Sequence, residues 1–327
     1  MRASSHASKS GYAVSTLVER RAALAGFMVG HRNCSVSERY AVSSYDHRKL
    51  KDMEEITIVG AGPYGLSIAA HLGGAGIAHR IFGRPMTTWR EHMPVGMFLK
   101  SEGYASSLCA PGKRGTGTFG EYCRSSGIPY QDVDLPVPLD RFVDYAIAFQ
   151  KRFVAQLEEI DVAFVEHVDN GFDVELTNGD RVRTRHLIMA TGITWFSNTP
   201  IVFRNIPDSF VSHSSCHRTA TQFAGKNVVV IGVGASAADT AILLADSGAN
   251  VRIVARSNRI RFHRRPPTGG RTVLQKLRHP QTVIGPGWRS KFFCDWPLLF
   301  HRLPASLRAE IVQTHLGPAP GWVAMEG

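Results

Sequence analysis

Apolar residues along this chain fall into short β-branched runs and longer stretches at helical spacing, and the two kinds alternate. Residues 56–59 (Ile-Thr-Ile-Val) form a β-branched run that meets glycines at once; residues 66–74 then read as a helix and 79–82 as a second strand. Residues 139–159 place Phe142, Val143, Ala146, Ile147, Phe149 and Phe153 near helical spacing, which predicts an amphipathic helix over that span. Three strand-like segments follow at 162–166, 172–176 and 181–185, and Asn178-Gly179 between the last two is a hairpin signal. Residues 186–192 read as a further, buried strand. Residues 228–231, 237–246 and 251–255 then repeat strand, helix, strand. Strands alternating with helices predict an α/β chain with parallel sheets.

The glycines sharpen this reading. Gly60-Ala61-Gly62-Pro63-Tyr64-Gly65 and Gly232-Val233-Gly234-Ala235-Ser236-Ala237 are G-x-G-x-x-G and G-x-G-x-x-A, 172 positions apart, and each lies between an expected strand and an expected helix. That context is the one a dinucleotide-binding turn requires. Gly60 and Gly232 permit the sharp turn out of the strand, and Gly62 and Gly234 let the backbone approach a pyrophosphate. Gly65 and Ala237 keep the helix close to the sheet, and the helix N-termini aim free N–H groups at the phosphates. Two copies imply two dinucleotides. The expected fold is therefore two Rossmann-like, doubly wound, three-layer α/β units: 53–195 and 196–302, between an extension at 1–52 and a tail at 303–327. Residues 1–52, rich in Ser and Arg and without clear apolar periodicity, are expected to be largely disordered.

Composition adds mostly exclusions. The chain has 327 residues, 43% of them hydrophobic, enough for about two packed domains. It contains no apolar run of 18 residues, so no integral membrane segment is expected, and the reading is a soluble, cytoplasmic protein. Cys34, Cys109, Cys123, Cys216 and Cys294 are scattered, which fits reduced thiols and offers no C-x-x-C redox pair. The formal charge is +11, and twelve Lys or Arg stand against the single acid Asp295 between Ser247 and Arg302. No aromatic-basic recognition motif accompanies that charge, so it is read as surface near an anionic dinucleotide and not as a nucleic-acid site. His213 and His217 are four apart, but neither a convincing helix nor a third ligand supports a metal. Ser236 fails the last position of G-x-S-x-G and is no nucleophile elbow.

The paired turns, together with Ala190-Thr191-Gly192 and the segment from Phe210 to Arg218 around His213, resemble the flavin-dependent monooxygenases over about 53–302. That group includes flavin-containing monooxygenases, Baeyer-Villiger enzymes and N-hydroxylating enzymes. Residues 89–101, from Trp89 to Ser101, are similar to a bacterial and fungal subgroup, some members of which are described as urate hydroxylases. The resemblance implies FAD in the first unit and a nicotinamide dinucleotide in the second. It also implies that Trp89 packs near the flavin, that Leu99 and Ser101 lie along its ring, and that Thr191 and Gly192 return the chain beside it. The acid that commonly ends the second strand of the first unit is replaced by Phe82-Gly83-Arg84, where Arg84 is left to meet phosphate or stack on adenine. In the second unit Arg256 and Arg259 follow the corresponding strand, which suits a 2′-phosphate and favours NADPH.

The activity implied is hydroxylation of a small organic substrate by O2, through a flavin C4a-hydroperoxide. Two alternatives stand beside it: an NAD(P)H-dependent flavin reductase or dehydrogenase without oxygen transfer, and an inactive dinucleotide-binding chain. The latter arises because no second Ala-Thr-Gly and no closing strand pattern occur after residue 302, so the FAD unit is expected to be incomplete and to expose apolar sheet surface. The apolar cluster from Trp288 to Phe300 is read as core in preference to a substrate channel or membrane contact.

Overall fold

In a computed structural model of the chain, the described residues are 53–113, 115–256, 260, 262–263, 265–266, 272–282, 284–315 and 319–326. Strand β1 (Glu54–Val59) is an interior strand of a five-stranded sheet, second from one edge, and its Thr57, Ile58 and Val59 are buried. Helix α1 (Pro63–Gly74) turns Gly65, Leu66, Ala69 and Ala70 onto the sheet, and β2 (Arg80–Phe82) returns parallel to β1 with Val59 opposite Phe82. Small residues along the inner face of α1 let the helix sit close to the strands. Helix α2 (Phe119–Ser125) is short; α3 (Leu139–Phe153) supplies Phe142, Tyr145, Ala146 and Phe149 to the same core.

Strands β3 (Val162–Val168), β4 (Gly171–Leu176) and β5 (Arg181–Met189) form an antiparallel meander, and the sheet order is β2-β1-β5-β4-β3. The two segments expected at 181–185 and 186–192 are one strand. Its first half pairs antiparallel with β4 and its second half parallel with β1, Thr184 facing partners in both, so the polar-to-apolar change at His186 marks a change of neighbour and not a break. The hairpin lies where Asn178-Gly179 predicts it, with Gly179 at φ +90°.

The helix expected over 139–159 stops at Phe153. Beyond it the chain is extended beside β2: Glu158 N donates to Ile81 O (3.0 Å) and accepts at its own carbonyl from Gly83 N (3.1 Å). Its carboxylate also takes two hydrogen bonds from Arg80, each 2.7 Å. Pairing along the sheet edge and this ion pair outweigh helix continuation, although Glu158 and Glu159 are good helix formers.

Further along, the chain forms β6 (Asn227–Ile231), α4 (Ala235–Asp246) and β7 (Asn250–Val254), with β6 and β7 parallel; by its internal contacts 52–327 is one compact unit, not the two expected at 53–195 and 196–302. Among the described residues this second sheet has two strands, and Val229, Ile231 and Val254 on it are exposed. Helices α5 (Val273–Arg278), α6 (Trp288–Asp295), α7 (Pro297–His301), α8 (Ala305–His315) and α9 (Val323–Glu326) complete the chain. The cluster expected as core is not buried core. Phe292, Phe293, Trp296 and Phe300 pair edge-to-face or tilted with one another, while Trp288, Trp296, Leu298 and Leu299 face solvent. None of the described helices is long and apolar enough to cross a membrane.

Candidate functional site

The first glycine turn has the geometry its sequence demands. Gly60 sits at φ +110°, and a Cβ there would run into the carbonyl of Ala190. Its N–H donates to Phe82 O at 2.8 Å, which fixes the turn across the ends of β1 and β2. A Cβ on Gly65 would strike the Gly60 carbonyl, so only glycine lets α1 start this close to β1. Gly62 differs: its backbone is extended (φ −78°, ψ −176°), and a Cβ there meets nothing within 4 Å. The free space beside Gly62 opens at the N-terminus of α1, which has Pro63 in its first turn, no side-chain cap and no acid there. No side chain caps the first N–H donors of this helix.

The remaining predicted residues of this unit are distributed around that turn. Ala190 N donates to Val59 O (2.8 Å), which sets Thr191 and Gly192 beside the glycine turn, with Gly192 at φ +72°. Thr88 and Thr194 share a hydroxyl hydrogen bond of 2.7 Å, joining this return to a π-helical turn, Thr88–His92. Trp89, in that turn, packs edge-to-face on Phe142 at 4.9 Å between ring centroids. Arg84 is engaged by Glu91 (3.0 Å) and Asp161 (3.3 Å), so its guanidinium is paired within the chain. Leu99 is buried and held by its N–H to Val137 O (2.8 Å), and Ser101 bonds the buried Ser106 hydroxyl at 2.8 Å.

The second turn repeats the first with one relaxation. Gly232 has φ +129° and its N–H donates to Val254 O at 2.9 Å, the counterpart of the Gly60–Phe82 bond. The Ala237 methyl lies 3.5 Å from where a Gly232 Cβ would be, an ordinary contact, so this turn accommodates alanine where the first needs glycine. Gly234 caps α4 without a side-chain hydrogen bond, again with no acid in the first turn. Ser236 is exposed and within 3.1 Å of the Ser214 hydroxyl. Arg256, just beyond β7, is exposed; Arg259 lies outside the described residues.

Hydrogen bonds from residues 92 and 95 tie the region of the first turn to the segment that precedes the second. His92 Nδ1 is 3.2 Å from Ser215 O, and Val95 N donates to Arg218 O at 2.8 Å. The π-helical turn of the first unit therefore rests on the segment around His213, whose ring caps a single 3₁₀ turn by accepting from Ser215 N (3.2 Å). His217 bonds Ser212 and Gln222, and no cluster of metal-ligating side chains occurs among the described residues.

A cleft of about 320 Å³ opens between residues 96–102, helix α4 and the segment from Gly321 to Ala324. Sequence reasoning named Leu99 and Ser101 here but missed Asp239 and Trp322. Trp322 is buried and donates its Nε1–H to Glu102 at 2.9 Å, with Arg265 stacked 4.7 Å over its ring. Asp239 has no hydrogen-bond donor among the described residues, and burial lifts its carboxyl up to about 6. Burial also lowers the Lys100 ammonium, and His263 is lowered by burial and then by nearby Lys100. Helical spacing alone would have put Asp239, Ile242, Leu243 and Asp246 on one face of α4; nothing in the sequence says what that face meets.

Residues 142–269 match a family described as pyridine nucleotide-disulphide oxidoreductase. The chain is 28% identical over 215 residues to indole-3-pyruvate monooxygenase YUCCA1 of Oryza sativa subsp. japonica, covering 61% of this chain and 47% of that protein. A flavin-containing monooxygenase from Stenotrophomonas maltophilia shares the fold at TM-score 0.52 and 22% identity, over 65% of this chain and 60% of that one. A bacillithiol disulfide reductase from Staphylococcus aureus does so at TM-score 0.52 and 23% identity, over 64% and 58%. The chain spans about half the length of the curated relatives it matches.

Proposed function

We propose that this chain, a relative of the FAD- and NAD(P)-binding oxidoreductases, is an FAD-dependent monooxygenase that takes hydride from NADPH and uses O2 to hydroxylate a small organic substrate. The observation carrying this reading is the pair of glycine turns, each with an uncapped helix N-terminus, joined by the contacts of His92 and Val95 with the segment 213–218. The residues fit the groups: the space beside Gly62 and the unclaimed donors of α1 suit a pyrophosphate, and Gly232, Gly234 and Ser236 offer the second. When bound, the flavin supplies hydride acceptance and oxygen activation, and the chain supplies position and exclusion of water. In this reading Gly60, Gly62, Pro63 and Gly65 hold the flavin's phosphates; Thr191, Gly192, Trp89, Leu99 and Ser101 border its ring. Arg84 shapes the edge of that site through Glu91 and Asp161. Gly232, Gly234, Ser236 and Ala237 hold the nicotinamide dinucleotide, and the exposed Arg256 meets its 2′-phosphate.

The divergent names among the structural neighbours make oxygen transfer the step to test. The absence of C-x-x-C from the sequence favours a monooxygenase over a dithiol reductase. With substrate present, oxygenated product and NADPH consumed should approach equal amounts. Hydrogen peroxide in place of product across a substrate panel would instead identify a reductase or oxidase.

A further inference from the structure

Helix α5 turns its apolar residues outward. At helical spacing Val273, Leu274 and Leu277 share one stripe of its surface, and they are 74, 71 and 61% exposed. Lys276 and Arg278, both exposed, flank that stripe on its two sides. A helix on the surface of a folded chain ordinarily has the reverse arrangement, with the apolar stripe inward. The Trp288 indole donates its Nε1–H to Leu277 O at 3.0 Å, which holds the start of α6 beside the end of α5. Along α6 and α7 the large apolar side chains divide. Phe292, Phe293 and Phe300 pair with one another, and Phe293 also meets the ring of His315 on α8. Trp288, Trp296, Leu298 and Leu299 stay exposed.

Charge distinguishes among the partners that such a surface could meet. Between Ser247 and Arg302 twelve Lys or Arg stand against Asp295, and that one acid is paired with Lys291 at 2.5 Å. A nucleic acid would answer the positive charge but leave the stripe of α5 in water. A second copy of the chain would set two basic faces against each other. An anionic lipid surface satisfies both features at once: aliphatic side chains enter the acyl boundary, Lys and Arg reach the headgroup phosphates, and an indole sits at the interface.

We propose that α5, with Trp288 beside it, is a peripheral docking surface for an anionic phospholipid bilayer, on which the chain lies without crossing. Three aliphatic side chains and an indole make a small anchor, so binding is reversible and needs the surrounding charge as well. None of these residues belongs to either glycine turn, and the proposal stands apart from the flavin reading.

The test is sedimentation of the full chain with sucrose-loaded vesicles of phosphatidylcholine, alone or with about one third phosphatidylserine. Partition at least about tenfold stronger onto the phosphatidylserine vesicles is expected, weakened by raised salt and accompanied by a blue shift of tryptophan emission. Leu274→Ser with Leu277→Ser alters no charge and touches only exposed positions; it should weaken partition at least about tenfold. Lys276→Gln with Arg278→Gln should lower the preference for phosphatidylserine. Ile201→Ser with Val202→Ser, at apolar positions equally exposed elsewhere on the chain, should partition as the unaltered chain does. Equal partition onto both vesicles, no partition, or full partition of the Leu274→Ser, Leu277→Ser chain would overturn the proposal. Binding of a single-stranded oligonucleotide in place of vesicles would assign the face to nucleic acid, and self-association lost in the same double variant would assign it to a second copy; either would overturn it too.

Discussion

Replacing Gly62 by alanine separates folding from dinucleotide binding more cleanly than any other change in the first turn. The backbone at Gly62 is in a region open to every residue, and the added methyl meets no atom within 4 Å. Losing glycine entropy from the unfolded chain favours the alanine variant by about 0.4–1 kcal/mol, and replacing glycine by alanine at a helix N-cap offsets this by a comparable amount. Net stability should stay within about 0.5 kcal/mol. The methyl fills the space that a pyrophosphate would use, so FAD affinity should fall at least about tenfold, or ~1.4 kcal/mol.

Gly65→Ala is the internal contrast. Its methyl strikes the Gly60 carbonyl, and overpacking against backbone costs about 1–3 kcal/mol or more, so this variant should lose stability and flavin together. Urea unfolding of each apo chain, paired with flavin titration followed by fluorescence quenching, measures both quantities. A Gly62→Ala chain that binds FAD like its parent, or that is destabilised as much as Gly65→Ala, refutes the assignment of the free space to a phosphate.

Three further changes probe other parts of the account. Asp239→Asn should stabilise the chain near pH 8: burial raises the carboxyl from 3.8 to about 6, so the charged form costs stability above about pH 6, and the cost fades as pH falls toward 4. With partial solvent contact discounted, the gain is about 1–2 kcal/mol, read from thermal melts across pH; a gain that persists undiminished at low pH would contradict it. Arg256→Ala should raise KM for NADPH about tenfold while sparing NADH, measured by initial rates of flavin reduction; parallel losses with both would remove the 2′-phosphate assignment. Tyr145→Phe should cost about 2–3 kcal/mol in chemical denaturation. Its buried hydroxyl accepts from Leu108 N (2.8 Å) and donates to Gly117 O (2.6 Å), and both groups would be left unpaired.

The parts legible in the sequence are those governed by local rules. Both glycine turns, the helices that follow them and the hairpin at Asn178-Gly179 each announce themselves within a few residues, because φ above zero or close backbone approach admits few side chains. What was misjudged depends on partners far along the chain. The end of α3 at Phe153 is decided by Glu158 pairing with β2, and the unity of β5 by its having two different neighbours. The helices after residue 270 look like core by composition, yet expose Trp288, Trp296 and Leu298. Asp239 and Trp322 line one cleft although about eighty residues of sequence separate them, and neither belongs to a motif. Arg84 is the instructive intermediate case: its place beside the first turn was readable, but its commitment to Glu91 and Asp161 was not.

The central claim, that two dinucleotide sites communicate through one chain, is tested most directly by the visible spectrum of the full chain reconstituted with FAD, recorded before and after anaerobic NADPH. A bound flavin band that bleaches on NADPH addition is the predicted result, since it needs both turns occupied and their ligands in contact. A chain that retains no flavin, or whose bound flavin is untouched by excess NADPH, would contradict the claim.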